Sequence, residues 1–314
     1  EDELEEMIRS ELAIWGGGWS ASPFRGGKLK DYLWFYYLTD GEVWGRAIPA
    51  IFAGSFEPWY AERLADPDSY HCFFNLHHYI QLWDLVEDSA LYTAEQRHSV
   101  AAFFGEMLRH LAGLFYLRDD VNPPGEPRQN HATFIALNLA VGHEYLHRRY
   151  GVDEFAAAAA AAERIFASQA GSYKPNDDAG VGYTWHVPLE TCHYLLNRGD
   201  YRYIDDGHVA DLCDAAAVTT DNMRSECGYG DSSGYSSGDD RGWSARLWPL
   251  MMSTWRRGDA RHLWLLNWLG AGRNPSLSHC LDGLYAAVEI SKTGFRLADC
   301  DPAEPTHLLG ITSL

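Results

Sequence analysis

Three short segments of the sequence combine side chains that can bind a ligand or transfer protons with glycine or proline residues that place them in loops. The first, Arg128-Gln129-Asn130-His131, follows a proline-rich break and begins a predicted helix. Asn130 is suited to be the N-cap of that helix. It is also suited to hydrogen-bond a carboxylate, because the free N–H groups of a helix N-terminus favour an anion beside them. Both interpretations of Asn130 stay open.

The second segment, 176–186, ends with Tyr183, Trp185 and His186. A histidine beside an aromatic ring is commonly a packed or surface residue, and the alternative is a proton-transfer group. His186 stands just before a predicted helix, as Asn130 does. That shared position favours the functional interpretation.

The third segment, 226–243, is rich in glycine and serine and carries Tyr229, Asp231, Tyr235 and Arg241. Glycine and serine alone are typical of a flexible linker. Tyrosines, acids and an arginine at the mouth of a helix are more typical of a loop that presents groups to a ligand.

An amide, a histidine, tyrosines and an arginine together meet the requirements of β-elimination across a 4-linked uronic acid. That reaction needs neutralisation of the C5 carboxylate, a base for the C5 proton and an acid for the departing O4. Asn130 and Arg241 suit the first requirement, and His186 and Tyr235 suit the other two. The chemistry requires no metal or other cofactor, and the six cysteines show no zinc-type spacing.

Helical hairpins are the elements that position these segments, because apolar residues recur with the helical period between short glycine, proline or aspartate breaks. The loop-to-helix junctions near Asn130, His186 and Arg241 lie 56 residues apart (from 130 to 186) and then 55 (from 186 to 241). Such a period is typical of a stacked helical array. The predicted helices are 70–86, 93–117, 130–150, a helix that contains 156–162 with Asp153 as its N-cap, 188–197, 201–218, 243–257 and one that ends at 269.

The fold class that this pattern predicts is all-α, an incomplete (α/α) toroid of helical hairpins. The long polar loops all precede the first helix of a pair, and closure of the array would gather them around one cleft. We expect the toroidal catalytic domain to cover 1–283. Residues 284–314 lose the helical spacing and are predicted to form a short C-terminal β segment.

A formal charge of −19 over 314 residues disfavours partners held mainly by phosphate contacts, so neither nucleic acid nor a membrane surface is expected. No apolar stretch is long enough to insert into a membrane, and we expect a soluble chain without a signal peptide. The region 241–273 differs, because it holds six arginines and a single acid, Asp259. This local positive charge is compatible with an acidic ligand beside the tyrosine-rich loop.

The Gln129-Asn130-His131 helix start, His186 after its Gly-Tyr-Thr-Trp stretch and the 235–241 loop resemble (α/α)-toroid polysaccharide lyases. The spacing is most similar to that of the glucuronan and alginate lyases of polysaccharide lyase family 38, over roughly residues 70–270. The resemblance implies that Asn130 binds the uronate carboxylate with help from Arg241. It implies that Tyr235 is the acid, and also the base in a syn elimination, and that His186 is the base in an anti elimination or a carboxylate partner. It further implies a secreted or periplasmic protein whose substrate is an acidic polysaccharide.

The resemblance leaves the choice of tyrosine open. His131 follows Asn130 as in alginate and heparinase-like lyases, where a later tyrosine is catalytic. Tyr183 stands 52 residues beyond His131 (from 131 to 183) and fits that alignment, and Tyr229 is a third candidate. The expected substrate-binding residues are Gln129, His131, Tyr183, Trp185, Tyr229 and Asp231.

Two other functions fit the same residues. A glycoside hydrolase on this fold would use two carboxylates, one from Asp177 or Asp178 and one from Asp231, Asp239 or Asp240. A helical-repeat protein that binds carbohydrate without catalysis would use the same loops.

Overall fold

The computed structural model describes residues 29–56, 58, 60–61, 65, 73–114, 117, 130–171, 183–220, 240–269, 293–294 and 299–302. Helices and turns make up this part of the chain and it contains no β-strand, which confirms the predicted all-α class. Across these ranges, no helix combines the length and the hydropathy that a bilayer-spanning segment needs. The closure of the hairpins into a toroid stays a prediction.

The described residues define eleven α-helices, and α2 continues into one π-helical turn at Phe52–Phe56. The helices are α1 (Leu29–Thr39), α2 (Glu42–Ile51), α3 (Leu76–Val86), α4 (Ala94–Gly113), α5 (Asn130–Tyr150), α6 (Ala156–Gln169), α7 (Tyr183–Leu196), α8 (Arg202–Asp205), α9 (His208–Val218), α10 (Asp240–Arg257) and α11 (Ala260–Leu269).

The chain divides into two compact units. Unit 1 consists of Glu1–Val121 and Phe134–Glu163, and unit 2 consists of Asn122–Thr133 and Arg164–Leu314. The first turn of α5 therefore belongs to unit 2, together with α7 to α11, whereas α1 to α4 belong to unit 1. The predicted domain boundary at residue 283 lies outside the described residues, and so does the predicted β segment except for 293–294 and 299–302.

Aromatic rings fill the core of unit 1. Phe52 meets both Trp83 and Phe104 edge-on, with ring centres 5.7 Å apart in each pair, and all three side chains are buried. The edge-on arrangement is favourable because the positive ring edge faces the negative ring face. These contacts fix α3 and α4 around the π-helical turn that follows α2.

One buried amide holds the start of α3. The Oδ1 atom of Asn138, on α5, accepts the backbone N–H of His77 at 2.9 Å and lies 3.0 Å from its Nδ1, while Nδ2 donates to the carbonyl of Phe73 at 2.9 Å. The N–H of His77 is one of the first-turn donors that a helix cannot satisfy itself. Because an amide oxygen only accepts, the His77 Nδ1 atom carries the proton. Asn138 thus caps α3 from another helix.

Sequence periodicity located several helices closely. α5 begins and ends where it was predicted, and α4 begins one residue after Thr93. Thr93 and Gln96 form a capping box, in which each side chain accepts the backbone N–H of the other. These boundaries depend on local hydrogen bonds, which is why the sequence reveals them.

Several predicted boundaries were wrong. α3 begins at Leu76 rather than 70, α4 ends at Gly113 rather than 117, and α10 begins at Asp240 rather than 243. α7 begins at Tyr183 rather than near 188 and contains Pro188, and burial of Trp185 in its first turns stabilises the extension. The predicted 201–218 helix is two helices, because Gly207 has a φ of +98° that interrupts the helical backbone. Asp153 does not cap α6 with its side chain; its Oδ1 atom lies 2.6 Å from Nδ1 of His147.

Replacement of Asn138 by alanine should destabilise unit 1. It removes the acceptor for His77 N–H and the donor for the Phe73 carbonyl, and both would be left buried, at a combined cost of about 2–4 kcal/mol. Urea denaturation followed by circular dichroism measures the effect. The matched control is Asn267→Ala on the exposed side of α11, which should change the unfolding midpoint little. Equal midpoints for the two variants would contradict the role given to Asn138.

Candidate functional site

The first helix of each hairpin begins at a regular interval. α3, α5, α7 and α10 begin at residues 76, 130, 183 and 240, which are 54, 53 and 57 residues apart (76 to 130, 130 to 183, 183 to 240). Three of the four predicted catalytic residues lie at equivalent positions in this repeat, near the start of the first helix of a hairpin. Asn130 is the first residue of α5, His186 is the fourth of α7 and Arg241 is the second of α10. All three positions belong to unit 2.

Asn130 is buried with an unsatisfied amide. Its side chain is only 2% exposed, and its Oδ1 atom has no hydrogen-bond partner in the described part of the chain. A buried amide without a partner costs about 1–3 kcal/mol. Such an atom in a folded protein calls for a specific explanation, and one explanation is a site for a ligand. An amide can turn over about χ2 to present Nδ2, the donor that a carboxylate needs.

A hydrogen-bonded bridge connects the start of α5 to α7 within unit 2. Nε2 of Gln169, the last residue of α6, donates to Thr133 Oγ1 at 2.7 Å. The Thr191 hydroxyl on α7 has one proton to share between Gln169 Oε1, at 2.9 Å, and the carbonyl of Val187, at 2.8 Å. Thr133 and Thr191 are both buried, so water does not compete for these bonds. α7 also packs against α10. The helix that carries His186 therefore contacts both Gln169 of α6 and α10.

The structure does not support a stacking role for Trp185. Its indole is 1% exposed, so the ring lies in the core of unit 2 and offers no face to a sugar. His131 is half-buried in the first turn of α5. The remaining predicted site residues lie outside the part of the chain whose side chains are described: Gln129, Tyr183, His186, Tyr229, Asp231, Tyr235 and Arg241, as well as Asp177, Asp178, Asp239 and Asp240 of the hydrolase alternative.

A buried acid and histidine on α7 were missed by the sequence analysis. Glu190 and His193 are both buried, and His193 Nδ1 lies 3.2 Å from Glu190 Oε2. Position 190 is four residues after His186 and position 193 is seven after it, so all three positions lie on one face of the helix. A carboxylate at Nδ1 holds the proton there and leaves Nε2 as the basic nitrogen. The His-x₃-Glu-x₂-His spacing was the signal in the sequence.

A second group with catalytic residue types is structural. Ser253 Oγ lies 2.8 Å from His262 Nδ1, and His262 Nε2 lies 3.4 Å from Asp214 Oδ1. Ser253 and His262 are both buried, so the hydrogen bond between them lies inside unit 2. The group joins α9, α10 and α11 through hydrogen bonds.

Three of the six arginines of 241–273 have side chains that the structure describes, and all three are engaged by acidic residues or a carbonyl. Arg256 forms two hydrogen bonds with the Asp205 carboxylate, at 2.8 and 2.9 Å, and Arg261 pairs with Asp259 at 2.7 Å. Arg257 donates to the carbonyl of Asp205 at 3.2 Å. The hydrogen bond from Arg256 holds the pKa of Asp205 below its usual value. These three side chains therefore stabilise α8 and the turn before α11 and do not form an open cationic surface.

Comparisons with protein-family models, curated proteins and solved structures gave no match. The resemblance to the lyases therefore depends on the residues and the spacing described above.

His262 should make the stability of the protein depend on pH. Burial lowers the pKa of His262, and Asp259 and Asp214 oppose that shift without cancelling it. The unfolded chain takes up a proton below about pH 6.5, whereas the folded chain keeps His262 neutral to lower pH. Since the unfolded state then binds more protons, stability falls as the pH decreases from 7 to 5.

His262→Gln tests this contribution. The variant should be less stable at pH 7, because the Ser253 contact is altered, and its midpoint in urea should change less between pH 7 and pH 5 than that of the parent. Asn267→Gln, on the exposed side of α11, is the matched control. Its midpoint in urea should change between pH 7 and pH 5 as much as the parent's does, and this change with pH is the slope that is compared. An unchanged slope in His262→Gln would show that His262 does not contribute.

Proposed function

We propose that the protein is a polysaccharide lyase that cleaves a β-1,4-linked polyuronate, glucuronan or mannuronan-rich alginate, by β-elimination. The single observation that carries the proposal is Asn130, a buried amide with an unsatisfied oxygen in the first turn of α5. The helix starts that carry His186 and Arg241 share its phase and its unit. The family resemblance adds a secreted or periplasmic location and an acidic polysaccharide as the substrate.

The elimination begins with neutralisation of the uronate carboxylate. The Asn130 amide donates to one carboxylate oxygen, and Arg241 supplies a charge-assisted hydrogen bond to the same group. Withdrawal of charge from the carboxylate makes the C5 proton acidic, because the carbanion that forms spreads onto those oxygens. Since Asn130 is 2% exposed, substrate entry has to displace what covers the first turn of α5.

Proton transfer completes the reaction. A base removes the C5 proton, the electron pair forms the C4=C5 double bond, and the C4–O4 bond breaks as an acid protonates O4. Tyr235 is the acid, and it is also the base when the proton and the leaving group lie on one face of the sugar. His186 is the base when they lie on opposite faces. Gln129, His131, Tyr183, Tyr229 and Asp231 are the proposed sugar-binding residues.

Beyond its first turn, α7 carries a buried acid–histidine pair and a hydrogen-bonded link toward the start of α5. Glu190 and His193 form a buried pair on the face that position 186 shares. Thr191 contacts Gln169, which in turn contacts Thr133. His186, the proposed base, and Asn130, the proposed binder of the carboxylate, thus lie on two helices that the Gln169 side chain connects.

Assays for new double bonds test the proposed reaction. Glucuronan, alginate, hyaluronan, chondroitin and heparin are each incubated with the protein, and the near-ultraviolet absorbance of the unsaturated sugar is followed. We expect activity on glucuronan or mannuronan-rich alginate. Asn130→Ala should reduce kcat/KM about 10²–10³-fold and Tyr235→Phe about 10²–10⁴-fold, because they remove charge stabilisation and proton transfer respectively.

Tyr37→Phe is the matched control, since Tyr37 lies on the exposed side of α1 in unit 1 and should keep the parent's activity. New reducing ends without new double bonds would identify a hydrolase instead. Binding of polyuronate without any turnover, unaffected by Tyr235→Phe and His186→Ala, would identify a carbohydrate-binding protein.

A further inference from the structure

A separate group of chemically capable side chains lies in unit 1, at the C-terminal end of α5. Residues 143–147 are His-Glu-Tyr-Leu-His, the order in which two histidines one helical turn apart bind zinc. That motif requires a helix, and α5 continues past both histidines to Tyr150. Tyr145 and Leu146 are buried, whereas the His147 side chain is 58% exposed. The motif is therefore anchored on a rigid helix and open to solvent.

The two imidazole rings are separated by nearly the distance that a shared metal requires. Zinc–nitrogen bonds of about 2.1 Å at a tetrahedral angle place two ligating ring centres about 5 Å apart. The ring centres of His143 and His147 are 5.6 Å apart and the ring planes are inclined by 40°. Small side-chain rotations therefore bring both rings onto one ion.

The ring nitrogens are arranged so that the Nε2 atoms are the donors. Gly151, with a φ of +66°, ends α5, and the chain then returns Asp153 to within 2.6 Å of His147 Nδ1. A carboxylate at Nδ1 fixes the proton there, orients the ring and leaves Nε2 for a metal. In His143, Nδ1 is buried without a hydrogen-bond partner among the described residues, which leaves Nε2 as the accessible nitrogen.

The charges around the histidines favour a cation. Arg148 pairs with Asp84, Arg149 pairs with Asp84 and Asp88, and Arg109 pairs with Glu154. The positive charges of these three arginines are thus balanced by carboxylates. The carboxylates of Asp153 and Glu144 attract positive charge at His143.

We propose that His143 and His147 bind a divalent transition metal of the zinc type through their Nε2 atoms, with Asp153 as the residue that orients His147. Water completes the coordination. The proposed elimination requires no metal, so this site is independent of the lyase proposal.

Metal titration of the full chain tests the site. Zn²⁺ is added in competition with a chromophoric chelator, and Co²⁺ is followed by its visible absorption bands. We expect the parent to bind one equivalent more than His147→Gln and His143→Gln do. Asp153→Asn should keep the site with about 10- to 100-fold weaker affinity, because it removes only the orienting carboxylate. His98→Gln, an exposed histidine on α4, is the matched control and should keep the parent's affinity and stoichiometry.

Circular dichroism establishes that each variant is folded. If His143→Gln is not folded, His147→Gln decides the result, because the His147 side chain lies largely in solvent and its replacement disturbs no core contact. Parental stoichiometry and affinity in His147→Gln would overturn the proposal. So would a parent protein that binds no Zn²⁺ or Co²⁺.

Discussion

The hydrogen bonds of Gln169 are the interaction on which the candidate site depends. One side chain at the end of α6 donates to Thr133 and accepts from Thr191, so it fixes the first turn of α5 relative to α7 inside unit 2. A neutral amide suits this task, because it offers a donor and an acceptor in one plane and carries no charge that burial would penalise. Loss of the bridge would separate the turn that carries Asn130 from the helix that carries His186.

Two buried asparagines on α5 differ in how completely the folded chain satisfies their amides. Asn138 uses both its oxygen and its nitrogen on backbone groups at the start of α3, and its role is complete in the folded chain. Asn130, two turns earlier, keeps an oxygen without a partner in the described residues. Burial alone does not distinguish the two residues. The unsatisfied oxygen does, because such an atom calls for a specific explanation, and the one that we propose is an amide that turns over to present Nδ2 to a ligand.

The sequence was sufficient where structure depends on local interactions. Apolar periodicity predicted α5 and the start of α4, and the loop spacing predicted the phase of the hairpins. Sequence reasoning failed where contacts between residues far apart in the sequence determine how a side chain is used. The arginine-rich region 241–273 has a positive local balance, but Asp205, far from it in sequence, pairs with Arg256. Trp185 was taken for a ring that contacts sugar, whereas packing places it in the core.

Binding of a uronate carboxylate by Asn130 is tested most directly by a crystal structure of the Tyr235→Phe protein with a glucuronan or mannuronan tetrasaccharide. We expect the Asn130 Nδ2 atom to lie about 2.9 Å from a carboxylate oxygen, with Arg241 on the same carboxylate. An oligosaccharide bound elsewhere, with the Asn130 amide still covered by protein, would contradict it.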